Sequence, residues 1–474
     1  MDHNVGVVYK PETVKNPVYT LNNAIAQGIV NYVRIYFVNL ANIRRCRIVP
    51  IDYFTQLVQS KRPGVNVGQV VVGLLDLITP PGFSAIGDFL YATDLPTLRP
   101  LPFAPGHMAV LGNYEEKLPY RDSSGKMSVS VPVCPRTLLK RVVEEAQTSS
   151  QTKFLVGFET EFILLSSTRP VIASSIHQFS SSSAFFAGSK EALILEEIGD
   201  SMREAGLSLQ MIHSEAAPGQ YEVVSGPLNP LEAADQVVLV HEIIQNVAAK
   251  HGLHATFAPR PFMTSAGSAA HIHLSVHREQ EEKSQQGLSH SESSFLAGLL
   301  DHLPAIPAIT LPTPASYKRV MDGVWSGGTY VHYGTENREA PVRLNNATSP
   351  QSRRFELRFI DGTANPHLAL SAIIGAGLTG LKSGKALEVQ DVKGPKCAWE
   401  MDEDERRAKG ITKRMPLTIE QARTFLEEDK VMREVLGSEM VDKYLSVNKA
   451  LGDALSKRAE ESENDELSRL VEFY

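Results

Sequence analysis

The chain has 474 residues, too many for one ordinary domain, and its 42% hydrophobic and 21% charged content is that of a soluble globular protein with a substantial core. A formal net charge of −7 offers no basic footprint, which excludes nucleic acid and anionic membrane surfaces as partners. Three scattered cysteines (Cys46, Cys134 and Cys397) form neither a disulfide framework nor a cysteine zinc site, and with no apolar signal core and no run of 18 apolar residues a cytoplasmic protein is expected.

Residues 1–20, with Pro11 and Pro17, read as an extended arm. A helix is expected near residues 21–31. Tyr32–Val38 (YVRIYFV) alternates and is rich in β-branched and aromatic residues, so it reads as a strand. A turn into a second strand (ANIRRCRIVP) and a short helix (IDYFTQLVQ) follow. Residues 64–93 read as strands and a loop, the proline-rich DLPTLRPLPFAP as an extended connection, and HMAVLGNY as another strand. Residues 21–125 thus form a small mixed domain. The polar break RDSSGKM leads into a second, larger domain over residues 126–474, and the fold class is α+β.

Past the break, a proline opens a helix with an apolar stripe at Leu138, Leu139 and Val142. The next stretch, FLVGFETEFILL, has the length and composition of a buried strand. Side chains alternate along a strand, so Glu159 and Glu161 share one face while Phe158, Thr160 and Phe162 share the other. Two such acids repel and lose hydration; a divalent cation compensates, and the alternative is a strand with a solvated face. A serine-rich loop (178–189) and the helix KEALILEEIGDSMREAG come next, the helix closed by Gly206. SEAAPGQYE places Glu215 before a Pro218-Gly219 turn and Glu222 after it. A long amphipathic helix (NPLEAADQVVLVHEIIQNVAAKHG) and a strand at ATFAPRPF lead to GSAAHIHLS, which puts His271, His273 and Ser275 on one strand face. Residues 278–294 read as a polar surface excursion. FELRF repeats the logic of FETEF, with Glu356 and Arg358 facing one way, and the last ninety residues are charged and helical in pattern.

If these strands share a sheet, one face carries Glu159, Glu161, Glu215, Glu222, His271 and Glu356. Five carboxylates and an imidazole suit two hard divalent ions such as Mg²⁺ or Mn²⁺. Arginines crowd the region downstream: Arg319, Arg338, Arg343, Arg353, Arg354 and Arg358. Their forks match phosphate and carboxylate, so the combination is equipment for phosphoryl transfer.

The motifs GFETEF, SEAAPGQYE, GSAAHIHLS, SYKRV, ENREAPVR and FELRFIDGTANPHLALSAIIGAGL resemble the glutamine synthetase family, in its prokaryotic-type branch and that branch's eukaryotic relatives, from about Tyr32 onward. The resemblance implies an N-terminal β-grasp domain and a large catalytic domain built on an antiparallel sheet. It also implies a ring-forming homo-oligomer, decamer or dodecamer, with active sites between neighbouring subunits, and ATP with two or more Mg²⁺ or Mn²⁺ ions per site. By position, Glu161, Glu215 and Glu222 match the ligands of one metal, and Glu159, His271 and Glu356 those of a second at the ATP phosphates. Arg338 and Arg343 match the arginines on the transferring phosphate. Arg319 matches the clamp on the amino-acid carboxylate, Arg358 the group near the reacting carboxylate, and Gly267 the glutamate-binding loop. His273, Ser275 and Arg354 match nucleotide contacts, with Arg343 beside them.

Three departures bear on the acceptor. The family's acidic D-G-S-S segment, which helps bind and deprotonate ammonium, is replaced by TPPGFSAIGDF. The flap glutamate after SYKR is replaced by Trp325, whose ring can hold an alkylammonium but cannot accept a proton. Arg260 stands where lysine is common, and Ala269 replaces a glycine. The expected activity is therefore ATP-dependent formation of a γ-glutamyl amide from glutamate and an organic amine. An authentic glutamine synthetase and a catalytically silent ring-forming structural or signalling protein are the alternatives.

Overall fold

The computed structural model describes residues 5–474 apart from 27, 29, 123, 280, 282–286 and 325–326. Trp325 therefore lies outside the described residues, as do 280 and 282–286 of the polar excursion expected over 278–294; the end of that stretch is instead the first turn of the helix His290–His302, capped by Ser289, with Ser291, Glu292 and Ser294 buried. The strands fall into two sheets. The first contains Tyr32–Val38 (β1), Arg44–Pro50 (β2), Gly64–Gly68 (β3), Asp88–Pro100 (β4), His107–Arg121 (β5) and Met127–Ser130 (β6). Its order is β2-β1-β5-β4-β3 with β6 on β5, and β1 and β5 run parallel at its centre.

Two sequence expectations change here. DLPTLRP is not a connection: it is the second half of β4. Pro96 fits because the β4–β5 register shifts between Asp94 and Arg99, where a missing N–H costs no ladder bond, and Pro100 is the strand's last residue. The break RDSSGKM, where a change of domain is expected at residue 125, is the turn between β5 and β6, so the first sheet runs on to Ser130.

The second sheet contains Thr152–Thr168 (β7), Val171–Ala173 (β8), Leu209–Ser214 (β9), Gln220–Ser225 (β10), His254–Thr256 (β11), Ile272–Arg278 (β12), Tyr333–Thr335 (β13), Val342–Asn345 (β14) and Arg354–Leu357 (β15). Its order is β13-β14-β15-β12-β7-β10-β9, with β8 and β11 also on β7, and every pairing but β13–β14 is antiparallel. The even-numbered residues of β7 from Phe154 to Leu164 are all buried. Helices Pro135–Ser150 and Pro230–Lys250 pack on this strand, and Pro366–Ser383 packs on both of them. The last helix is apolar nearly all round and is buried accordingly. It starts at Pro366, capped by the Asn365 side chain on the Leu368 N–H, and stops at Gly384, whose φ of 60° suits glycine. On the other face, Leu155, Gly157 and Glu159 line a cavity with Glu161 next along it, while Ile163 and Leu165 further on are buried in the core. Among the described residues no helix is long and apolar enough to cross a membrane.

Candidate active site

Strand register assembles the site in two rows. In the first, His213 on β9 lies opposite Glu222 on β10, which lies opposite Glu161 on β7. In the second, Arg343 on β14 lies opposite Glu356 on β15, then His273 on β12, then Gly157 on β7. Glu159 stands between the rows, and its N–H donates to the carbonyl of His271 at 3.0 Å. All six acidic and imidazole residues expected on one face are thus brought together.

Glu159, His271 and Glu356 each offer an atom within 4.8 Å of the others, a group able to hold a metal ion. His271 Nδ1 lies 3.1 Å from Glu159 Oε2 and 3.9 Å from Glu356 Oε1. Burial and the Arg358 charge hold its pKa down at about 4, so the ring is neutral and ligand-competent, and its Nε2 has no hydrogen-bond partner among the described residues. Burial alone would raise both acids, but basic neighbours outweigh it. His273 and His271 hold Glu159 well below the usual carboxylate range, and Arg358 with His273 and His271 holds Glu356 at about 2.

Glu356 is 1% exposed at its side chain and is gripped from both sides. Arg343 Nη1 donates to its Oε2 at 2.8 Å, and Arg358 Nη1 donates to its Oε1. Arg343 Nη2 reaches out to Glu336 at 2.6 Å. Arg354 Nε donates to His273 Nδ1 at 2.9 Å, so the His273 proton sits on Nε2 and is donated to Glu159 Oε1 at 2.7 Å. Ser275 follows on the same strand face and contacts His277 Nε2 at 2.8 Å.

The other cluster is built differently. Its three mutually close ligand atoms come from His213, Glu215 and Glu222. Glu161 stands at its inner edge, where its Oε2 accepts from Gln220 Nε2 at 2.7 Å. Burial raises all three acids. Glu222 and Glu215 push Glu161 further up, and Glu222 rises to about 7 despite its bond to His213. His213 is raised to about 9 by Glu222, 3.0 Å from its Nε2. Three buried acids with one imidazole are short of positive charge, and this is the setting a hard divalent cation completes. His213 escapes the sequence reading; its signal is its place two residues before Glu215 on an alternating strand.

The remaining expected residues surround this floor. Arg319 is 1% exposed, and its Nη2 donates to the carbonyls of Arg358 and Ile360, both at 3.0 Å. Gly267 lies against it, and a Cβ there would stand 2.4 Å from Arg319 Cγ and 2.8 Å from the Pro259 carbonyl, so only glycine fits. Arg338 is exposed, and its charge acts on Glu215.

Comparison with known proteins agrees with this geometry. A family model described as glutamine synthetase, catalytic domain, matches residues 132–467. The chain is 33% identical over 439 residues to Protein fluG of Emericella nidulans, covering 91% of this chain and 48% of that one; it spans about half of that relative's length. It is 29% identical over 467 residues to the gamma-glutamylpolyamine synthetase GlnA3 of Streptomyces coelicolor, covering 94% of each. It is 30% identical over 449 residues to the glutamine synthetase of Methanocaldococcus jannaschii, covering 90% of this chain and 93% of that one. The solved structure of a GmaS/ADP complex superposes with a TM-score of 0.76 at 25% identity, over 93% of this chain and 97% of that one. The chain belongs to the glutamine synthetase family, a family of ATP-dependent carbon–nitrogen ligases.

Proposed function

We propose that the chain joins the γ-carboxylate of glutamate to an organic amine at the expense of ATP. The observation that carries the choice of amine over ammonia is the stretch TPPGFSAIGDF. Its one acid, Asp88, is half exposed with the Lys117 ammonium 3.8 Å away, and a neighbouring cation disfavours ammonium there. A gamma-glutamylpolyamine synthetase among the relatives supports the same reading.

Glu161, Glu215 and Glu222 would hold one divalent ion, and Glu159, His271 and Glu356 a second at the ATP phosphates. Mg²⁺ or Mn²⁺ bound there would supply positive charge to the phosphoryl oxygens. Arg319 and Gly267 hold the amino-acid end of glutamate, and Arg358 orients its side-chain carboxylate. His273, Ser275, Arg343 and Arg354 hold the nucleotide. In the first step a γ-carboxylate oxygen attacks the terminal phosphorus and ADP leaves; Arg338 and Arg343 stabilise the charge on the transferred group. In the second step the amine nitrogen attacks the acyl carbon, phosphate leaves, and the nitrogen loses a proton. Trp325 would face the acceptor. We read the oligomer as a ring of ten or twelve subunits in the cytoplasm, with the β-grasp domain expected over residues 21–125 extended through β6 to Ser130 and the catalytic domain following. Leu77, Ile86 and Leu118, each more than 80% exposed, are the kind of side chains such an assembly covers.

Phosphate release from Mg·ATP and glutamate tests this, with ammonium in one well and alkyl, poly- and aromatic amines in others. Release with an organic amine and little with ammonium is expected. Efficient release with ammonium alone returns the chain to the glutamine synthetases, and silence in every well supports the structural alternative.

A further inference from the structure

Beside the ligand floor lies a cavity of about 720 Å³, within the ~300–1,000 Å³ range of small-molecule sites. At one end it is polar, lined by the hydrogen-bonded trio Glu159, His273 and Arg354. Register leads from there into apolar surface: Glu159 on β7 lies opposite Val224 on β10, which lies opposite Met211 on β9. Another part of the wall comes from Val5, Gly6, Val7 and Tyr9, beside Asn346, Gln351 and Ser352.

This segment is tied to both rims. The Val5 N–H donates to Ser349 Oγ at 2.9 Å, and Ser352 Oγ donates to the Val5 carbonyl at 2.5 Å, both in the turn between β14 and β15. At the other end Gln210 Nε2, on β9, donates to Tyr9 Oη at 2.7 Å. The segment is thus anchored at both of its ends. Gly6 makes the bend at φ 78°, beside Asn346, a conformation that side chains other than glycine's disfavour. Val5 and Val7 are 56% and 68% exposed. Hydrogen bonds, not burial, hold these two apolar side chains where they are, and a flat heteroaromatic ring in the cavity would cover them.

We propose that Val5–Tyr9 is a strap that forms one wall of the subsite for the nucleotide base, and so sets affinity for adenine without touching the phosphates. This rests on the reading of the chain as an ATP-dependent ligase. The strap faces Met211 and Val224 across the space for the base, while Arg354 and His273 take the phosphate side.

The test uses the full chain and two variants, Val7→Asp, which puts a charge into the wall at an exposed position, and Gly6→Val, which breaks the bend. Calorimetric titration with Mg·ATP and with Mg·tripolyphosphate, which has no base, separates the two ends of the site. Both variants are expected to weaken ATP about tenfold and to leave tripolyphosphate within about twofold of the parent, with the ligand-free melting temperature unchanged. ATP affinity equal to or tighter than the parent's in both variants overturns the strap alone. A parent chain that binds neither ligand overturns the strap and the ligase reading together.

Discussion

The two acidic clusters share one sheet and face the same cleft, yet they are held by opposite means. Around Glu159, His271 and Glu356 the protein supplies its own positive charge: Arg343 and Arg358 grip Glu356, and Arg354 backs the His273 that donates to Glu159. The carboxylates there stay ionised, Glu356 at about 2. Around Glu161, Glu215 and Glu222 burial and mutual repulsion win, and all three acids rise. Only His213 answers them from within. One candidate metal group is thus partly charge-balanced by the protein's own arginines and histidines, and the other is not. That difference assigns the first cluster a part in fold stability as well as chemistry, and leaves the second a ligand set whose stability contribution depends on metal.

The comparison breaks most visibly at Glu356. Replacing it with alanine leaves the Arg343 and Arg358 charges buried without their acid, and urea unfolding of the metal-free protein should show a loss of about 3–5 kcal/mol. A loss under 1 kcal/mol would mean these arginines do not depend on it. The complementary experiment adds metal. Each site filled at about a hundredfold excess over its dissociation constant should raise unfolding free energy by about 2.7 kcal/mol. Glu215→Gln should forfeit the share of one site and keep that of the other, which unfolding with and without Mn²⁺ would read directly.

A third buried network, outside both acidic clusters, sharpens the contrast. Arg136 bonds to Asp94 and Asp235, and His367 bonds to Asp235. Burial would raise Asp235, but Arg136 and His367 hold it at about 2, down from 3.8. A depressed acid contributes stability that is fully present above pH 3.8 and lost as pH falls through about 2. Unfolding measured at successive pH values should show about 2 kcal/mol of parent stability lost over that window and a flatter profile in Asp235→Asn. The smallest effect has the opposite sign. In metal-free protein at pH 8, Glu222→Gln removes one repelling charge while its amide oxygen still accepts from His213, so stability should rise by about 1 kcal/mol. Calorimetric melting of the two proteins in chelator decides it.

The acids on β7, the imidazoles leading into β12 and Glu356 on β15 were legible in the sequence, because a period of two puts alternate side chains on one face and the apolar partners announced which face was buried. The helices were legible for a similar reason, through their apolar stripes and the Pro135 and Gly206 boundaries. What escaped depends on contacts between distant residues. His213 joins the second cluster only through β9–β10 register. Pro96 of β4 is tolerated because the ladder with β5 slips there. Val5–Tyr9 reads only as part of an extended arm until Ser349, Ser352 and Gln210, about 200 to 350 residues away, fix its two ends.

The most direct test of the central claim is competition in one tube. The protein is given Mg·ATP and glutamate with equal concentrations of isotopically labelled ammonium and a diamine such as putrescine, and the products are quantified by mass spectrometry. The account predicts γ-glutamyl amide of the organic amine in large excess over labelled glutamine. Labelled glutamine as the main product would contradict it.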